Sequence, residues 1–144
     1  MGEKIKDPVF GEMEYDCGWT KKQEVHFLDK FSVVEIVVSA YTGESIVEEQ
    51  HKSYKYFMEN EEKINSELPK IIQDYIDENI EDIRLDYPEI DNIKKLSDIV
   101  RPSTLLFDTD GNIVFLCDVS WDEENGIGIE IFPDYKVDIQ DMFI

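Results

Sequence analysis

Positive charge is what this sequence most lacks. Fourteen Lys and Arg stand against 34 Asp and Glu, and the formal net charge is −20. A field of that sign repels phosphates and anionic lipid surfaces, which argues against nucleic acid and membranes as partners. It favours cationic partners instead: metal ions, polyamines or a basic protein surface. Cysteine is also scarce. Cys17 and Cys117 lie far apart, fit no zinc spacing, and without an export signal read as reduced thiols. No apolar run approaches the roughly 18–20 residues that span a bilayer. The opening MGEKIKDPVF has neither the apolar stretch nor the cleavage site of a signal peptide. Lys6 stands where a myristoylation signal needs Ser or Thr. A cytoplasmic protein is the expectation.

Histidine is too rare for most nucleophilic mechanisms. Any Cys-His or Ser-His pair must use His26 or His51, which fall on a strand and a helix with no orienting motif. There is no Gly-x-Ser-x-Gly elbow. The calcium-loop pattern also fails: with Gly111 as the sixth loop residue, Leu106 and Cys117 occupy the first and twelfth positions, where carboxylates belong. Gly126 and Gly128 form a lone Gly-x-Gly with no following helix, in an acidic setting hostile to phosphate. No cofactor and no metal site is expected, and catalysis is the less favoured reading.

What the chain does have is a globular composition, 42% hydrophobic and 12% aromatic, at the length of one domain spanning residues 1–144. Val9–Tyr15, the run QEVHFLD and the β-branched run FSVVEIVVSA read as strands of an antiparallel meander, the third covered on both faces. The period then becomes helical. Ser45 is placed to cap a first helix carrying Val47, Tyr54, Phe57 and Met58. A second is expected from near Ser66, with Pro69 in its first turn and Leu68, Ile71, Ile72, Tyr75, Ile76, Ile80 and Ile83 as its apolar stripe. Strands resume around the Asp110-Gly111 turn and continue through GIGIEIF and DYKVDIQDMFI. The fold expected is α+β: an antiparallel sheet of N-terminal and C-terminal strands with a central helical pair packed on one face.

The acidity is uneven. Residues 59–91 hold twelve acidic and three basic residues, and residues 108–144 hold ten and one. The stretch WDEENGIG (residues 121–128) concentrates it at a corner between two strands. Asp122 suits a turn that accepts backbone N–H groups, and Asn125-Gly126 suits positive φ. Gly128 leaves room for the Trp121 ring, and Glu123 and Glu124 face solvent. Adjacent carboxylates also invite comparison with a divalent-metal hydrolase, which would need groups facing each other across a cleft.

Three segments together carry a resemblance: Phe10, Gly11, Met13, Tyr15 and Trp19; Gln50, Tyr54, Phe57 and Asn60; and Trp121, Asp122, Glu124, Gly126 and Gly128. They resemble an uncharacterised bacterial family of small acidic proteins that end in a W-D-x-E-x-G-x-G hairpin, where members often have His in place of Asn125. Such proteins are similar in style to the immunity proteins of toxin systems. The resemblance implies a non-catalytic domain that neutralises a basic partner such as a nuclease toxin. Asp74, Asp77, Glu78, Glu81 and Asp82 on the second helix and Asp122, Glu123 and Glu124 on the hairpin would then meet that partner, with Trp121 or Tyr87 as anchor. A metal-dependent hydrolase and a purely structural or regulatory domain are the alternatives.

Overall fold

The computed structural model describes residues 2–144. Eight strands form one open sheet in chain order: β1 (Lys4–Asp7), β2 (Gly11–Tyr15), β3 (Trp19–Phe27), β4 (Lys30–Val38), β5 (Val100–Phe107), β6 (Ile113–Val119), β7 (Ile127–Phe132) and β8 (Lys136–Ile139). Between β4 and β5 lie a long helix, α1 (Glu48–Glu78), a short one, α2 (Ile80–Asp86), and two single 3₁₀ turns. All neighbouring strands are antiparallel except β4 and β5, which run parallel with Glu35 opposite Thr104 and Val38 opposite Phe107.

The expected α+β arrangement, an antiparallel sheet under a central helical pair, is overturned on two counts. The sheet is mixed, because a long helical crossover carries the chain back to the end of the sheet where β4 began. The central segment is one 31-residue helix followed by a short one, not a pair. Asn60 leaves helical geometry at φ −120° and ψ 16° but only kinks α1. Pro69 sits in the helix interior, not in a first turn. An interior proline costs about 3 kcal/mol. Buried Tyr54, Phe57, Ile64, Leu68, Ile72 and Ile76 outweigh it by extending one apolar stripe along the whole helix.

Nor does Ser45 cap α1. Val47 does, and since it has no side-chain acceptor only half of a capping box forms: the Gln50 side-chain oxygen accepts the Val47 N–H at 2.9 Å. The Gln50 amide then donates to the carbonyls of Ser39 (2.9 Å) and Phe107 (3.2 Å), where the parallel strands end. The helix is thereby tied to the seam it crosses.

One face of the sheet carries the core. Val25, Phe27, Val34, Ile36, Leu105, Phe107, Ile113, Phe115, Ile127 and Ile129 pack there with the apolar stripe of α1. The other face is partly open, so β4 is not covered on both sides: Phe31 and Val33 are 68% and 63% exposed. β1 lay outside the expected strands because KIKD is short, polar and at an edge. Both histidines engage carboxylates, His26 with Glu62 and His51 with Asp7, each at 2.8 Å. Cys17 is exposed and Cys117 buried, both free. Among the described residues no helix is long and apolar enough to cross a membrane.

Candidate functional site

The acidic half of α1 is organised by its own periodicity. Leu68, Ile72 and Ile76 are buried against the sheet. The next i, i+4 row, Ile71, Tyr75 and Asn79, is half-buried, and the row beyond it, Asp74 and Glu78, is exposed. The half-buried row therefore forms a border between core and acid. Lys70 pairs with Asp74 at 2.7 Å, which offsets the repulsion between Asp74 and Glu78.

Tyr75 stands where two grooves meet. One, about 170 Å³, lies between Ile71, Asp74 and Glu78 of α1 and Tyr135, Lys136 and Val137 at β8. The other, about 300 Å³, is bounded by Asn79, Asp82, Ile83 and Asp86 on one side and by Trp121, Asp122 and Asn125 on the other. Burial pushes the Tyr75 phenol above its ordinary pKa, and the negative charges of Asp138 and Asp122 add to the effect. Burial also raises Tyr135, with Glu67 nearby.

The loop that supplies Trp121 is built by local hydrogen bonds. Asp122 accepts the Asn125 backbone N–H at 3.2 Å and its side-chain amide at 3.1 Å, while the Asp122 carbonyl accepts the Gly126 N–H at 2.9 Å. Gly126 has φ 62°, and a Cβ there would meet the Cys117 carbonyl oxygen at 2.5 Å. Glycine is required by both conformation and space. Gly128 has a different reason from the one expected: a Cβ would lie 2.2 Å from Cδ2 of Phe143, so the glycine seats the Phe143 ring and not that of Trp121.

Of the residues singled out from sequence, Asp74 and Glu78 line the first groove, and Asp82, Trp121 and Asp122 line the second. Asp77 is exposed and accepts a hydrogen bond from Gln73 at 2.9 Å. Glu81, Glu123 and Glu124 are exposed and line neither groove. Tyr87 packs half-buried against the core at the end of α2. Tyr75, Asn79, Asp86 and Tyr135 were missed as site residues. The half-buried i, i+4 row was a signal for Tyr75, whereas Asp86 and Tyr135 depend on tertiary placement.

Elsewhere, a cavity of about 820 Å³ opens where β2 leaves β3 and mixes Glu3, Glu14, Asp16 and Glu35 with Lys21 and Lys22. Its charge is mixed, whereas the groove bounded by Asp82, Asp86 and Asp122 has carboxylates and no cation in its lining. Among the described residues no three or more His, Cys, Asp or Glu side chains are grouped to hold a metal ion. Across the second groove the loop's Asp122 stands opposite Asp82 and Asp86, while Glu123 and Glu124 are exposed outside it.

No curated protein and no solved structure matches the chain. A family model does, over residues 9–141, and the chain belongs to that family, described as a domain of unknown function, DUF6985.

Proposed function

We propose that this domain is a non-catalytic binding module that docks a basic protein through the acidic face around Tyr75. The observation that carries the reading is the groove in which the aromatic side chains of Tyr75 and Trp121 meet Asp82, Asp86 and Asp122. A lysine or arginine side chain entering there gains carboxylate partners together with aromatic surface. Aromatic anchors ringed by polar groups are where binding energy concentrates in protein interfaces. The net charge of −20 supports the choice of a basic partner and steers it inward. Neutralisation of a nuclease toxin, in the manner of immunity proteins, is the specific form that the family resemblance suggests. Nucleic acid and membranes remain disfavoured by the same charge.

The test is capture of a partner from lysate of the source cell at low salt and again at about 0.5 M salt, using the native protein and a Trp121→Ala/Asp82→Asn variant. One dominant basic protein is expected, released by salt and held at least about tenfold more weakly by the variant. A partner retained equally by the variant and insensitive to salt would refute this reading.

A further inference from the structure

β8 ends the sheet, and among the described residues no strand lies beyond it. Its register with β7 is unbroken from Ile127 opposite Ile139 to Glu130 opposite Lys136. An antiparallel edge strand turns about half of its backbone N–H and C=O groups away from its only neighbour. β8 contains no proline and no bulge to blunt that edge. Beside it runs the groove lined by Asp74 and Glu78; Asp134 precedes the strand, and Asp138 lies within it, accepting the Ile139 N–H at 2.8 Å. The one cation of the strand, Lys136, borders this groove, and its Nζ lies over the Phe143 ring, 5.9 Å from its centre.

We propose that β8 is a strand-addition site for an extended, lysine- or arginine-bearing segment of the basic partner. This rests on the docking reading above and specifies how the partner enters. An unpaired strand edge offers backbone partners that an extended segment can use, whereas a helix satisfies its backbone groups internally. Backbone pairing would provide affinity, and every second side chain would point towards Asp74 and Glu78. The recognised pattern is therefore a cation alternating with a small or apolar residue. β1 of a second copy, with Lys4, Ile5 and Lys6, has that pattern, but stacking two chains of −20 charge opposes it. A foreign strand is the occupant.

The experiment titrates isotope-labelled protein with a capped hexapeptide of alternating Lys and Val, and with two versions N-methylated on one or the other alternate set of amides. Saturable binding is expected, with shifts at residues 71–78 and 134–139 and slowed hydrogen exchange in β8. One methylated version should bind like the parent and the other about tenfold more weakly, because it loses the edge hydrogen bonds. Asp74→Asn/Glu78→Gln, two exposed changes, should also weaken binding about tenfold. Equal binding by both methylated versions, or shifts only around Trp121, would overturn strand addition while leaving the acidic docking face in place. A basic protein captured from lysate with no peptide binding at β8 would do the same. If neither peptide nor protein binds, both readings fail. Self-association through residues 4–6 and 136–139, competed by the peptide, would give the edge to a second copy and overturn the proposal.

Discussion

Asp7 accepts three hydrogen bonds from a nearly dry position: the backbone N–H groups of Val9 and Phe10 at 2.9 and 2.8 Å, and the His51 ring at 2.8 Å. Burial pushes its carboxyl pKa up, but Phe10, His51 and Val9 together hold it below the ordinary carboxylate value. The unfolded chain therefore takes up this proton first. The stabilisation is whole above the unfolded pKa and is lost as pH falls through it towards the folded one. Asp7→Asn should cost about 1–2 kcal/mol at neutral pH and flatten the fall in Tm below about pH 4. Melting curves across acid pH would check this, and an unchanged acid limb would show that another carboxylate controls it. At this scale the sequence was readable where the chemistry is local. Asp122 makes the turn expected of it because its partners lie within four residues. Gly128 was misread because its partner, Phe143, arrives from a different element.

Among elements, the β3–β4 turn and α1 constrain each other. Leu28 has φ 58°, a left-handed conformation that costs a non-glycine residue about 1–2 kcal/mol. Asn65 holds it there: the Leu28 N–H donates to Asn65 Oδ1 at 2.6 Å, and the Asn65 amide donates to the Leu28 carbonyl at 2.9 Å. Asn65→Ala should destabilise by about 1–3 kcal/mol by orphaning both groups, and Leu28→Gly in that background should recover part of the loss. Urea unfolding of the single and double variants would measure it, and full additivity would argue against the clamp. None of this was visible in the sequence, where Leu28 read as one more strand residue. The expected helix break near Ser66 failed for a related reason: Pro69 is a strong local signal, and a stripe packed along the whole core overrode it. The rows of α1 that form the candidate site could nonetheless be read, because helical spacing alone places Asp74 and Glu78 together on the border beyond Tyr75.

For the molecule as a whole, −20 charges on one small domain make like-charge repulsion part of the folding balance. Screening weakens repulsion between exposed charges more than it weakens the few ion pairs, so added salt should stabilise the protein. Tm should rise between about 0.01 M and about 0.5 M sodium chloride, while capture of a basic partner falls over the same range. A Tm that drops instead would mean that ion pairs such as Arg84–Asp91 outweigh the repulsion.

The parallel junction of β4 and β5 has a kinetic meaning as well. β1 to β4 and β5 to β8 are two runs of hairpins that can zip over short turns, each with little loop to close. Joining them brings Glu35 to Thr104 across the entire helical segment, the longest connection between neighbouring strands of the sheet. The expected order of assembly is thus two half-sheets first and their union last, with Gln50 as the clasp between the ends of β4 and β5. Gln50→Leu should accordingly speed unfolding and leave refolding nearly unchanged in stopped-flow denaturant jumps. A slowed refolding limb would move the union of the halves to the start of the pathway.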